Sequence, residues 1–218
     1  MLKNNNLQKH VLDILKDKRS MRNILLYNGD SELKGLVEII NNKIEAESSL
    51  EQNSFELLFT QCNKCSDIIT KRSPFGSGSN SVMIILNRPR LINMSEISEY
   101  KSESNELLKK MMAAIGLELN ECYITSLVKC ETNNVLIKPS DMVRNCLHIL
   151  EGEIDFIKPN LVIVMGDILP LQKIVSSRKE ITWFNTEHPI SLIKNPELKR
   201  SAWSTLKLAS KRFLELRR

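Results

Sequence analysis

The stretch NCLHILEGEIDFIKPNLVIVMGD, residues 145–167, reads as a helix running into a strand. Val143, Leu147, Leu150, Ile154 and Ile157 recur at the four-and-three spacing of one helical face, so a helix is expected over Asp141 to Ile157, with Ser140 or Asp141 as its cap. Leu161 to Met165 is an unbroken apolar run closed by Gly166, the pattern of a strand covered on both faces. Working outward, Val82 to Asn87, Cys122 to Val128 and Ile181 to Asn185 read as further strands. Asn105 to Ile115 and a segment carrying Ala202, Leu206, Ala209 and Phe213 read as helices. Apolar strands alternating with helices define an α/β fold, here a parallel central sheet of about four strands flanked by helices. Ligands of such sheets sit at the carboxyl ends of the strands, which places Asn87, Ser126, Gly166 and Thr186 to Pro189 where chemistry belongs.

The chain has 218 residues with 42% hydrophobic content, enough for one substantial core and a small appendage. That appendage is expected over residues 1–50 as a helical extension: Leu7, Val11 and Ile14 mark one helix, Leu33, Leu36, Val37, Ile40 and Ile44 another, with a turn at Asn28-Gly29-Asp30. Residues 51–218 then form the α/β domain, whose Ser73 to Ser81 segment reads as a loop. No apolar run reaches the roughly 20 residues needed to cross a bilayer, and the opening lacks a secretion pattern, so a cytoplasmic protein without membrane contact is expected. The net charge of +5 is too small by itself to indicate a nucleic-acid partner, although basic residues crowd the C-terminal end. No heptad or isolated apolar strip marks an interface, and a monomer is the expectation.

Four of the five cysteines form a pattern: Cys62 and Cys65 with two residues between them, Cys130 and Cys146 with fifteen, while Cys122 stands apart. In a reducing compartment clustered cysteines are metal ligands or redox groups more often than disulfides. Cys146 lies on the inward face of its helix, three after Val143 and four before Leu150, and Cys130 follows a strand. The readings open on spacing alone are an iron–sulfur cluster, a four-cysteine zinc site, and plain core cysteines.

The stretches QCNKCSDIITKRSPFGSGS (61–79), VMIILN (82–87), CYITSLVKC (122–130), the 145–167 run and TEHPISLIKNPELKRSAW (186–203) together resemble the family 4 uracil-DNA glycosylases, the 4Fe-4S type, over roughly Gln61 to Leu214. The resemblance implies that Cys62, Cys65, Cys130 and Cys146 hold a 4Fe-4S cluster, and that the protein flips a uracil or another damaged base out of DNA and hydrolyses its N-glycosidic bond. His188 would then stabilise the leaving base, Asn87 would position water, Tyr100 would stack on the base and Ser126 would read its edge. Leu192 and Ile193 would be the wedge inserted into DNA, with Lys194 and Arg200 among the phosphate contacts.

The chain departs from the family pattern where chemistry is done. Leu86-Asn87-Arg88-Pro89-Arg90 stands where the family reads Gly-Glu-Ala-Pro-Gly, and Ser126 stands for an asparagine whose amide presents a donor and an acceptor together. Concerted loss of these features defines a second expectation, a noncatalytic iron–sulfur DNA-binding protein. A third is a zinc-stabilised interaction module in which residues 1–50 recruit a partner.

Overall fold

The computed structural model describes residues 59–89, 94–132 and 136–217, all within one compact unit, Phe55–Arg218. The helical extension expected over residues 1–50 lies outside the described residues. In chain order the elements are β1 (Ile68–Lys71), β2 (Val82–Leu86), α1 (Met94–Ala114), β3 (Tyr123–Ser126), β4 (Cys130–Thr132), α2 (Pro139–Ile157), β5 (Leu161–Met165), α3 (Gln172–Ser177), β6 (Thr182–Thr186), α4 (Pro189–Lys194) and α5 (Lys199–Leu216). Short 3-10 turns precede α3 and α5.

The central sheet has four strands in the order β3-β2-β5-β6, all parallel, as the alternation of apolar strands and helices requires. Alternate residues of β2 point to opposite faces. Val82 and Ile84 join Ile163 and Met165 in a core closed by α1 and α5 through Met112, Leu206 and Phe213. Met83 and Ile85 join Val162 and Val164 in a second core closed by Leu150, Ile154 and Ile174. The result is a three-layer sandwich whose sheet interior is almost wholly removed from water. Each such buried aliphatic side chain contributes about 1.5–3 kcal/mol relative to exposure.

Several boundaries differ from the sequence reading for local reasons. Helix α1 begins at Met94 rather than Asn105, so the polar segment Glu99 to Ser104 is helical, with Ser104 turned inward. Helix α2 starts at Pro139, whose fixed φ suits a first helical position, and its flanking residue is Lys138 with no side-chain cap; Ser140 and Asp141 lie inside the first turn. A small antiparallel pair, β1 with β4, was not legible in the sequence; it registers Lys71 against Cys130 and Ile68 against Thr132. Within the Ser73 to Ser81 loop, Phe75 bridges Ile124, and Gly76 is held at φ +82°, where a Cβ would lie 1.9 Å from the Cys122 carbonyl.

The register sets all four strand ends in one row: Ser126 opposite Leu86, Leu86 opposite Met165, and Met165 opposite Thr186. The chain leaves β2 for one side of the sheet and β5 for the other, so the loops after these neighbours diverge and open a crevice. At their roots the two loops are stitched together. Asn87 N–H donates to the Met165 carbonyl at 2.8 Å, the Asn87 side-chain amide donates to the Asp167 carbonyl at 2.7 Å, and Gly166 N–H donates to the Thr186 carbonyl at 2.7 Å. Gly166 has φ +114°, and a Cβ there would sit 2.0 Å from the Asn87 carbonyl oxygen. No side chain fits that approach.

Gly166→Ala is therefore expected to destabilise the protein by at least about 3 kcal/mol, from backbone strain and backbone contact together. In a thermal melt this is a drop of roughly 6 °C or more, whereas Gly116→Ala, where no heavy atom lies within 4 Å, should lose only the strain of its positive φ.

Candidate functional site

At the row of strand ends a cavity opens, lined by Leu86, Arg88, Lys101, Ser104, Asn105, Leu108, Ser126, His188, Pro189 and Ile190. It is open on one side to solvent, and its empty space amounts to about 450 Å³ only when that open mouth is counted. His188 and Ser126, both anticipated from the sequence, meet in this wall. His188 caps α4: its Nδ1 accepts the Ile190 backbone N–H at 3.2 Å. In the neutral ring the proton must then reside on Nε2, which is left to donate. His188 is only 3% exposed, and burial together with the nearby Arg88 guanidinium pushes its pKa down to about 4. At neutral pH it is an uncharged hydrogen-bond donor.

The other anticipated residues are distributed differently. Asn87 does not line the cavity, because its amide nitrogen is committed to the Asp167 carbonyl across the strand crossover. Tyr100 lies on α1 and likewise misses the wall; its ring carries the Lys194 ammonium 5.8 Å from the centroid, so it joins α1 to α4. Leu192 is 2% exposed and packs into the core with Met112 and Leu206, which removes it from the wedge expected of it. Ile193 is partly exposed, and Lys194 and Arg200 are exposed on the same stretch. Sequence reasoning overlooked Lys101 and Asn105 as cavity residues. Their spacing to Leu108 on a single helix was the available signal, hidden for Lys101 because the helix was expected to begin only at Asn105.

Arg88 is placed by charge as well as by chain. Glu131 accepts from Arg72 through both Nε, at 2.8 Å, and Nη2, and it accepts from Arg88 Nη1 at 3.4 Å. Two guanidinium groups thus share one carboxylate, and Arg88, the more loosely held, faces the cavity. Burial lowers the Arg88 pKa while Glu131 opposes that shift. Among the described residues the cavity wall contains no carboxylate.

Behind Ser126 lies a buried ion pair that the sequence reading missed. Lys129 Nζ donates to Glu153 Oε2 at 2.6 Å and to the Thr125 hydroxyl, which itself donates to Glu153 Oε1 at 2.9 Å. Lys129 and Glu153 are essentially inaccessible, and burial draws Lys129 down and Glu153 up, each toward its neutral form. A charge on the inward face of α2, three residues after Leu150, was the sequence signal. The pair pins the chain between Ser126 and Cys130.

The four patterned cysteines gather next to this pin. Cys65, Cys130 and Cys146 are buried and Cys62 is partly exposed. Burial, then the neighbouring Cys146, Cys65 and Cys62, pushes the Cys130 thiol up to about 11, and Cys146 is raised by burial and by Cys65 and Cys62. The sulfurs therefore lie within electrostatic reach of one another, although among the described residues no three His, Cys, Asp or Glu side chains form a ready-made site for a single metal ion. Donors surround them. Lys129 N–H points to Cys146 Sγ at 3.4 Å, the Asn145 amide to Cys65 Sγ at 3.8 Å, and Lys71 Nζ ties the Phe59, Thr60 and Cys62 carbonyls at 3.2, 2.7 and 2.9 Å. Cys122 is buried in the core closed by α1 and α5, where the Asn80 side-chain amide donates to its Sγ at 3.3 Å.

The parallel four-stranded sheet carries its cavity and histidine at the strand ends, as ligand sites of open α/β sheets do, and comparison with known sequences gives the family. The description "Uracil DNA glycosylase superfamily" matches residues 71–207, and the chain belongs to that superfamily. It is 26% identical over 177 residues to a type-4 uracil-DNA glycosylase of Sulfurisphaera tokodaii, an alignment covering 70% of this chain and 79% of that protein. A type-4 uracil-DNA glycosylase of Archaeoglobus fulgidus is 32% identical over 63 residues, 29% of this chain and 32% of its own.

Lys129→Met strands Glu153 without its partner and is expected to destabilise the fold by about 3–5 kcal/mol, measured by urea denaturation. The double substitution Lys129→Met with Glu153→Leu should recover most of that loss, because it removes the orphaned charge as well.

Proposed function

We propose that this protein is a DNA-repair glycosylase that accepts a base rotated out of DNA into the cavity at the strand ends and hydrolyses its N-glycosidic bond. The observation that carries the reading is the pairing of buried, neutral His188 with Ser126 and Arg88 around one cavity at the carboxyl edge of the sheet. In the reaction the bond between C1′ and the ring nitrogen breaks with both electrons leaving on the base. Water oxygen bonds to C1′, its proton passes to solvent, and the departing base anion is later protonated. His188 Nε2–H donates to the oxygen on which negative charge gathers, and the buried setting strengthens that bond. Arg88 adds a fixed positive charge beside it. Asn87, with its amide nitrogen already spent on Asp167, offers water only its amide oxygen and takes no proton. Ile193, Lys194 and Arg200 flank the entrance stretch and serve DNA, Ile193 as the remaining wedge residue and the two cations as phosphate contacts.

The cysteines Cys62, Cys65, Cys130 and Cys146 fit a 4Fe-4S cluster better than zinc. The mutual influence of these thiols means that they share one neighbourhood, and the resemblance to the 4Fe-4S type of glycosylase is what favours the cluster over zinc. The donors from Lys129, Asn145 and Lys71 are the outer contacts such a centre requires. When bound, the cluster supplies cross-linking of the β1–β4 pair to α2 rather than redox chemistry.

A second reading is favoured by one observation. The cavity wall lacks a carboxylate among the described residues, and Asn87 is turned to Asp167, so a base could be held without being released. An excision assay separates the two. Single- and double-stranded oligonucleotides carrying uracil or hypoxanthine are incubated with protein and cleaved with alkali. Strand breaks are expected, and His188→Ala should lower their rate by roughly 10²–10³, the range for loss of one charge-stabilising donor. Specific binding with no breaks in any substrate supports the noncatalytic reading. Anaerobically purified protein should be brown and contain iron and sulfide; a colourless protein with one zinc would exclude the cluster.

The pH profile follows from His188. Its folded pKa of about 4 lies below the ordinary value of 6.5, so the unfolded chain binds the extra proton between those limits. Activity should therefore show no break near 6.5 and fall only toward about 4, and His188's contribution to stability should be complete above about 6.5 and fade as pH drops toward 4.

A further inference from the structure

The cavity's donors outnumber its acceptors in an unusual way. Arg88 and Lys101 bring positive charge, the Asn105 amide and Ser126 hydroxyl bring further donors, and neutral His188 brings Nε2–H. Against these stand, among the wall's side chains, the Asn105 carbonyl and the hydroxyl oxygens of Ser104 and Ser126. Glu131, the acid nearest to Arg88, is gripped by Arg72 through two nitrogens and touches Arg88 only at 3.4 Å. Arg88 is thus left with most of its fork free in a half-buried setting, where a cation seeks an anion. A ring N–H of a neutral base would meet few acceptors here, whereas an edge from which that proton has gone would meet donors all along it.

We propose that Arg88 makes this a pocket for bases in their ionised form, so that selection follows the acidity of the base's ring N–H as well as its outline. The substrates are lesions with oxygens flanking an acidic ring nitrogen, and within that set the more acidic base is preferred. The inference deepens the glycosylase reading and rests on it only in taking a flipped base as the cavity's occupant; it requires no bond cleavage. The charged or titratable groups facing such a base are Arg88 after β2, Lys101 from α1 and His188 at the start of α4, with Glu131 and Arg72 behind Arg88.

The test uses full-length protein and single-stranded oligonucleotides in which one 2′-fluoro nucleotide, whose electron-withdrawing sugar resists cleavage, carries cytosine, uracil or 5-fluorouracil. The last two share an outline to within one atom, and 5-fluorouracil loses its ring proton more readily. Affinities are measured by fluorescence anisotropy at pH 6.5 and 8.5 for the natural protein, Arg88→Gln and Arg88→Lys. The natural protein should favour 5-fluorouracil over uracil by about tenfold at the higher pH, the worth of one charge-assisted hydrogen bond, and much less at the lower pH. Arg88→Gln should bring the ratio below roughly twofold at both pH values, and Arg88→Lys should keep part of it.

Three results overturn the proposal. A natural protein that binds the two bases alike at both pH values has no such preference. A preference that survives in Arg88→Gln belongs to another residue. If Arg88→Gln weakens every oligonucleotide equally and lowers the salt slope by about one, Arg88 touches phosphate rather than base. Should Arg88→Gln fail to fold, the natural protein and Arg88→Lys still decide the first result and the loss of the fork. Excision is scored separately on cleavable substrates: an Arg88-dependent preference without excision sinks the glycosylase reading alone, and excision with a flat preference sinks this inference alone.

Discussion

The parallel register of the four central strands is the constraint on which the molecule turns. Because Ser126, Leu86, Met165 and Thr186 end level with one another, every loop that leaves the sheet at that edge starts from the same line. The loops after β2 and β5 are then forced into contact at Gly166, and everything that approaches the cavity is positioned from that contact outward. Slippage of one strand by a single residue would turn its buried face to the wrong core and carry its terminal residue out of the row. The two cores hold the register from both sides, since Ile84 and Ile85 face opposite ways and neither tolerates exchange.

Much of this was written plainly in the chain. Leu161 to Met165 forms a strand with the expected ends because five consecutive apolar residues bounded by Asn160 and Gly166 have no other stable use in a two-layered covering. The inward face of α2 and the buried stripe of α5 were legible for the same reason, apolar spacing matching a helical turn. The β1–β4 pair was illegible because its strands are only four and three residues long and mix apolar with polar residues, Ile68-Ile69-Thr70-Lys71 and Cys130-Glu131-Thr132, so neither alternation nor an apolar run announces them. Helix α1 was cut short because its first half is rich in serine and glutamate and carries few of the apolar residues that mark a face.

The site was legible in kind and less so in detail. His188 could be singled out only through the family resemblance of its TEHP stretch, since a histidine there serves equally well as a helix cap, which it also is. Leu192 was ambiguous because an apolar residue serves a core and a DNA wedge equally well, and only its packing beside Met112 distinguishes the two. Asn87 was only half legible, since a side-chain amide close to a cavity can also fasten one loop to another. The Lys129–Glu153 pair escaped because two charges far apart in the chain look like solvated residues until the fold buries them together.

Glu131 follows Cys130 directly, and its carboxylate is shared between Arg72 beside the cysteine group and Arg88 in the cavity wall. These three side chains form a single electrical unit. A substitution at any one of them redistributes charge over the other two, so a change made at the thiol-bearing end of the protein is felt electrostatically in the cavity wall.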